Sequence, residues 1–163
     1  MEVIGFSHSD EFRVAASATR MRVGEPLEFN GTYTSGVASA NTVVQAADAT
    51  PVIATDNFVG ISGQDAAVDS AGTVTAQKIQ VRVPIAHFTR IRGKAKTSTN
   101  IDTDTELLGV LWDLVLFDLT SSEFTIDETA AADTSALIVR NGNTAKGLLD
   151  VVVDARAMRA DVS

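Results

Sequence analysis

The feature that most constrains the fold of this chain is a strict alternation of apolar and polar residues within residues 73–83. The apolar positions are Ile79, Val81 and Val83, and the polar positions between them are Lys78, Gln80 and Arg82. Successive side chains of a β-strand point to opposite faces, so this period of two predicts a strand with one buried and one basic face. Thr, Val, Ala and Ser dominate the rest of the chain, which favours strands and turns over helices. We therefore expect a mainly β protein.

The length and the turn signals predict one β-sandwich or barrel-like domain over residues 23–163. A chain of 163 residues, 45% of them apolar and 21% charged, is long enough for one core and short for two. Turns are predicted at Gly24-Glu25-Pro26, at residues 69–72 and at Asn141-Gly142-Asn143, the last within a hairpin over 136–153. Residues 106–119 are nearly all apolar, and the branched and glycine residues among them favour a strand over a buried helix.

Residues 1–22 allow two interpretations. Val3, Ile4, Phe6 and Phe12 offer apolar anchors separated by polar residues. The segment can be a first strand of the domain, or an extended N-terminal arm that becomes ordered on a neighbouring protein. In the second case these four residues would contact that neighbour.

Charge is sorted into two consecutive blocks. The only charged residues of 70–101 are basic: Lys78, Arg82, Arg90, Arg92, Lys94 and Lys96. Those of 102–133 are all acidic: Asp102, Asp104, Glu106, Asp113, Asp118, Glu123, Asp127, Glu128 and Asp133. Blocks of opposite sign on a β scaffold suit proteins that dock through complementary surfaces. We expect the basic row of Arg82, Arg90, Arg92, Lys94 and Lys96 to meet an acidic surface on a sister subunit or another protein.

Composition disfavours several classes of function. A net charge of −8 disfavours nucleic acid and anionic membranes as main partners. Cysteine is absent, which excludes disulfides, thiolate metal sites and cysteine nucleophiles. Acidic residues near the start disfavour a signal peptide, so we expect synthesis in the cytoplasm. No catalytic motif is present, and we expect neither an enzyme nor a cofactor.

A weak metal candidate lies at the start of the acidic block. Asp102, Asp104 and Glu106 alternate after Asn100, as at the start of a calcium loop, but Thr105 and Leu111 stand where that motif needs glycine and glutamate. On a strand these side chains would line one solvated acidic face. We therefore expect an acidic surface here rather than a metal site.

Several segments taken together resemble the head decoration, or cement, proteins of tailed double-stranded DNA bacteriophages. The resemblance spans residues 23–153 and concerns the character of these β-rich segments and their order along the chain. The segments that carry it are Val23–Pro26, Phe58–Ile61, Gly72–Val74, Leu108–Leu114, Phe124–Asp127 and Ala136–Val139.

The resemblance implies a non-enzymatic β protein on the exterior of the virion. Such proteins bind the major capsid protein, commonly as homotrimers, and stabilise the shell by bridging neighbouring subunits, often with an N-terminal arm. The alternative is a β-sandwich binding module of a virion appendage or cell surface that recognises carbohydrate or protein, with calcium at Asp102, Asp104 and Glu106.

Overall fold

The computed structural model describes residues 1–14, 16, 21–30, 42–53, 58–129 and 134–158. Eleven strands and one α-helix are assigned in these ranges. The strands are β1 (Glu2–Ile4), β2 (Ser7–Val14), β3 (Pro26–Phe29), β4 (Thr42–Gln45), β5 (Phe58–Ser62), β6 (Gln77–Pro84), β7 (Arg90–Lys94), β8 (Leu114–Thr120), β9 (Glu123–Asp127), β10 (Leu137–Asn143) and β11 (Leu148–Val153), and the helix is α1 (Asp104–Val110). Short 3-10 helices cover Ser98–Asn100, Thr144–Lys146 and Ala155–Ala157. The predicted mainly β fold, a β-sandwich or barrel-like domain, is confirmed.

The strands form two structures. Strands β2, β4, β3, β5 and β6 close into a barrel, in which β2 and β4 are parallel and the other pairs are antiparallel. The other six strands form an antiparallel sheet in the order β1-β7-β11-β10-β8-β9. A closed barrel leaves no unpaired strand edge, which protects this half from edge-to-edge association.

Strand β5 joins the two hydrophobic cores. All five of its residues are buried. Val59 belongs to the core inside the barrel, whereas Phe58 and Ile61 belong to the core under the six-stranded sheet, where Phe58 packs on Phe117 with ring centroids 5.8 Å apart. Gly60 lies so close to strand β6 that an added Cβ atom would clash with the Arg82 carbonyl. The absence of a side chain at Gly60 therefore lets the two strands approach.

The alternating segment behaves as expected. In β6, Ile79 and Val81 are buried in the barrel core while Lys78, Gln80 and Arg82 are exposed. The strand pairs along its whole length with β2, from Ser7 opposite Pro84 to Val14 opposite Gln77.

The expected strand over residues 106–119 is wrong in its first half. Residues 104–110 form α1, and the strand β8 begins only at Leu114. Thr103 and Glu106 form a capping box at the start of α1, because each side chain accepts a hydrogen bond from the other residue's backbone N–H. Leu107, Val110 and Leu111 pack on the core. The capping signal Thr-x-x-Glu outweighs the strand propensity of the apolar run.

The C-terminal hairpin is present, but its turn lies further along the chain than predicted. Residues 141–143 belong to β10, and the connection to β11 is the 3-10 turn Thr144–Lys146 followed by Gly147 with a positive φ. A register shift between Val139 and Asn141 lets β10 continue past the predicted turn.

The N-terminal segment is paired with both structures. Strand β1 adds to the six-stranded sheet beside β7, and β2 enters the barrel beside β6. Of the rest of residues 1–22, residues 15 and 17–20 lie outside the described ranges. Within the described ranges, no helix has the length and apolar character needed to cross a membrane.

Candidate interaction surface

The two charge blocks partly neutralise each other inside the chain. Lys96 Nζ lies 2.7 Å from Asp118 Oδ1 and 2.8 Å from Asp127 Oδ2. Asp118 is buried, and it also accepts a hydrogen bond from the Thr120 hydroxyl at 2.6 Å. Hydrogen bonds from Lys96 first and Thr120 second hold the pKa of Asp118 below its usual value, and the bonds to Asp118 and Asp127 raise the pKa of Lys96. Lys96 is thus engaged within its own chain.

Arg92 is engaged in the same way. Its Nε and Nη2 atoms donate to the two carboxylate oxygens of Asp150 at 2.7 and 2.9 Å. The two residues lie opposite each other on β7 and β11, and Asp150 is buried. A bidentate pair of this kind fixes the guanidinium in place. The prediction that Arg92 and Lys96 meet an acidic partner surface stays a prediction, and their internal ion pairs reduce the charge that each can offer to such a partner.

The acidic alternation does not form one strand face. Asp102 precedes α1, while Asp104 and Glu106 lie in its first turn. A hydrogen bond to Glu106 raises the pKa of Asp102, and hydrogen bonds from Thr103 first and Asp102 second lower the pKa of Glu106. Among the residues that the structure describes, no group of three or more His, Asp or Glu side chains is placed to hold a metal ion. Glu106 acts here as a helix cap.

The remaining predicted contact residues lie in different places. Arg82 and Lys94 are exposed on β6 and β7, and neither forms an ion pair with a described residue. Phe12 is half-buried on the barrel, where it packs edge-on against Phe29 with centroids 6.1 Å apart. Val3 packs against the core of the six-stranded sheet. Ile4, Phe6 and Arg90, in contrast, come together around one cavity.

This cavity lies where the chain crosses between the sheet and the barrel. One crossing, between β1 and β2, carries Phe6, and the other, between β6 and β7, carries Ile85 and Phe88. The crossings run side by side because Ser7 pairs with Pro84 on one flank and Ile4 with Arg90 on the other. The Phe6 and Phe88 rings consequently lie 6.5 Å apart, yet they are 77% and 64% exposed.

A buried hydroxyl ties the two crossings together. Thr89 is fully buried, and its Oγ1 atom donates to the carbonyl of Phe6 while accepting the N–H of Ile85 at 2.8 Å. Phe88 N–H donates to the Ile85 carbonyl at 3.0 Å, which closes the turn. His87 in the same turn has φ +58°, a conformation rare outside glycine and often found at functional sites. The backbone that carries the exposed phenylalanines is therefore held by hydrogen bonds on both crossings.

Two arginines flank these rings. Arg90 and Arg140 line the same cavity of about 480 Å³ together with His87 and Phe88. Arg140 also stacks on the indole of Trp112, its guanidinium carbon 3.9 Å from the ring centre. Trp112 is 65% exposed and has φ +74°. We call Phe6, Ile85, Phe88, Arg90, Arg140 and Trp112 the junction surface.

Neither Arg90 nor Arg140 forms an ion pair with any residue in the described ranges. Arg92 and Arg156, in contrast, are paired with Asp150 on β11 and with Asp154 directly after it. The Arg156 guanidinium lowers the pKa of Asp154 to about 2. The junction surface thus combines exposed apolar rings with two cations that have no internal carboxylate.

Sequence reasoning identified only part of this surface. It singled out Phe6, Ile4 and Arg90, but not Ile85, Arg140 or Trp112. Arg140 and Trp112 meet only because the Trp112 N–H bonds to the Val139 carbonyl on β10, a contact between distant segments that leaves no local pattern. One local signal was present. Ile85 and Phe88 are apolar and lie in the turn directly after Pro84, where polar residues are usual.

Comparison with known proteins adds no family to these observations. No protein-family model matches the sequence, and the search of curated proteins gave no match. The interpretation of the junction surface therefore depends on its geometry and chemistry.

Proposed function

We propose that this chain is a non-enzymatic structural protein that binds the outer surface of a viral capsid as a trimer and stabilises the shell by bridging neighbouring capsid subunits. The observation that carries the proposal is the junction surface: exposed aromatic rings beside two arginines that form no ion pair with a described residue. In the proposed assembly this surface docks on a neighbouring subunit.

The composition of the surface favours a protein partner. Tryptophan, tyrosine and arginine are the residues most often found at the energetic centres of protein interfaces, and phenylalanine is enriched in interface cores. The junction surface has one tryptophan, two phenylalanines and two arginines within a small area. Burying these exposed rings against a partner would be favourable, so a cluster of this kind is typical of an interaction site.

The rigidity of the surface also favours docking. The Thr89 hydrogen bonds and the strand pairings on both flanks hold the backbone at Phe6 and Phe88 before any partner binds. A preformed surface loses little conformational entropy on association, so a modest contact area can bind. Many copies on one shell further strengthen each contact through multivalency.

The electrostatics suit an exterior position. The chain carries a net charge of −8, so close contact with packaged nucleic acid would be repulsive. Its unpaired arginines instead favour an acidic protein partner.

The first test is the composition of purified particles of the virus that encodes the chain. Quantitative mass spectrometry should find the chain in a fixed ratio to the major shell protein, and mild salt or chaotrope treatment should release it without releasing the genome. Particles that lack the chain would refute the capsid proposal.

The second test measures binding of the purified chain to stripped particles by cosedimentation. Phe88→Ser should weaken binding at least tenfold, whereas Val23→Ser, which changes an equally exposed apolar residue away from the junction surface, should bind as the unmodified chain does. Equal binding by the two variants would remove the junction surface from the account.

Charge is tested with Arg90→Glu, matched to Arg13→Glu on the barrel. Arg92→Glu is unsuitable, because it would place a second carboxylate beside the buried Asp150 and perturb folding. Arg90→Glu should weaken binding most at low salt, since screening reduces surface electrostatics. If both arginine variants bind equally well, the electrostatic part of the proposal is wrong.

A further inference from the structure

Helix α1 exposes a leucine on its outer face. Leu107, Val110 and Leu111 pack inward on the core, as expected for an amphipathic helix. Leu108 points away from that core and is 68% exposed. Asp104 lies four residues earlier, so its carboxylate and the Leu108 side chain share one outer face of the helix. The outer face of α1 therefore presents an apolar group beside an acidic one.

This combination is the complement of the junction surface. The cavity there has apolar rings at its rim and an unpaired arginine, Arg90, in its wall. Leucine is small enough for a cavity of about 480 Å³. The Asp104 carboxylate lies one helical turn from Leu108, and Arg90 lines the same cavity as the two rings, so both contacts can form at one site. Asp104 itself forms no ion pair within the described part of the chain.

We propose that the junction surface of one copy receives α1 of a second copy of the same chain. Leu108 enters the cavity beside the Phe6 and Phe88 rings, and Asp104 pairs with Arg90. This inference rests on the docking role proposed above and names the neighbour as a sister subunit. Each copy carries both halves of the contact, so the association can close as a two-fold pair or as a ring.

The experiment is the solution mass of the full chain by sedimentation equilibrium over a range of concentration and salt. The unmodified chain should form a closed oligomer at low salt. Arg90→Glu and Asp104→Arg should each weaken association at least tenfold, because each brings like charges together. Leu108→Ser should do the same without a change of charge. Glu123→Lys, an exposed acidic residue outside α1, is the control and should associate normally.

Mixing the two charge variants separates a lost contact from a misfolded chain. In a 1:1 mixture of Arg90→Glu and Asp104→Arg, every contact between unlike copies again joins opposite charges. Association should be stronger in the mixture than with either variant alone: a two-fold pair should form fully, whereas a three-membered ring, which must contain one contact between like copies, should be replaced by pairs of unlike copies. Circular dichroism melts of each variant establish that both are folded.

Three results would overturn the inference: a monomeric unmodified chain at every concentration, an oligomer indifferent to Arg90→Glu and Asp104→Arg, or a mixture that stays monomeric. Other results would contradict the proposed function and leave this inference intact. A dimer formed through α1 would sustain the inference but contradict the trimer, and an oligomer absent from purified particles would sustain the inference but contradict the capsid role.

Discussion

The ammonium group of Lys96 lies 2.7 Å from the buried carboxylate of Asp118, so a residue of the basic block neutralises one of the acidic block. Asp127 completes the cluster at 2.8 Å. The surface is therefore less sharply divided into basic and acidic regions than the two charge blocks of the sequence suggest. Arg90 and Arg140, which form no ion pair with a described residue, both lie at the junction surface, where we place the docking chemistry.

The first prediction concerns this cluster. Asp118→Asn keeps the shape of the side chain but removes the charge that Lys96 and the Thr120 hydroxyl bind. We expect a loss of about 1–2 kcal/mol in the free energy of unfolding, measured by urea denaturation. Glu123→Gln on the exposed end of the same hairpin should change it by less than about 0.5 kcal/mol. Equal effects of the two changes would mean that the cluster does not stabilise the fold.

The second prediction is acid sensitivity. The pKa of Asp154 is lowered to about 2 by Arg156, and the pKa of Asp118 is lowered by Lys96. The pKa of Asp127 is also lowered, because hydrogen bonds from Lys96 and Thr129 outweigh the opposing effect of burial. A carboxylate with a lowered pKa stabilises the fold above its unfolded pKa, near 4, and loses this contribution as the pH falls towards the folded value.

The contribution of these three carboxylates to stability should consequently be constant from pH 7 to about pH 5 and be lost between about pH 4 and pH 2. Burial raises the pKa of Glu28, which acts in the opposite direction but at higher pH. Thermal melts across this range measure the effect, and Asp154→Asn should reduce the slope between pH 4 and pH 2. A melting temperature that does not change down to pH 2 would contradict the ion-pair description.

The third prediction concerns the support of the exposed rings. Thr89→Val removes the buried hydroxyl that links the Phe6 carbonyl to the Ile85 N–H, and leaves both groups without that partner. We expect a loss of about 1–3 kcal/mol of stability. Hydrogen exchange should accelerate at residues 85–89. Thr97→Val, at an exposed threonine, is the control and should leave the exchange of residues 85–89 unchanged; identical exchange in both variants would show that Thr89 does not hold the turn.

The fourth prediction uses two glycines. Gly60→Ala drives a methyl group into the Arg82 carbonyl between the two cores, and we expect it to destabilise the chain by about 1–3 kcal/mol. Gly109→Ala adds the same methyl group to α1 in open space and should stabilise by up to about 1 kcal/mol, since alanine favours the helix. Opposite shifts in the urea midpoint are expected, and shifts of the same sign would contradict the close packing of β5 against β6.

The sequence was sufficient for features that depend on local pattern. Residues 77–84 alternate because one face of β6 is inside the barrel and the other is in water. The hairpin of β10 and β11 was also predictable, although its turn was not, because the register shift after Val139 is set by pairing rather than by turn residues.

The rest depends on contacts between distant segments. Residues 104–110 form a helix because a capping box and an inward apolar face act together, whereas the apolar run alone is ambiguous. The partners of Arg92 and Lys96 lie 58 residues and 22 or more residues away, so the sequence does not show that these cations are already paired. The junction surface likewise exists only because two chain crossings meet.

The most direct test of the account is hydroxyl-radical footprinting of the chain, free in solution and bound to particles. The account predicts that oxidation of Phe6, Phe88 and Trp112 falls at least severalfold in the assembled state, while Met158, away from the junction surface, keeps its reactivity. Equal oxidation of the three aromatic residues in the free and bound states would show that the junction surface stays open, and would contradict its role in docking.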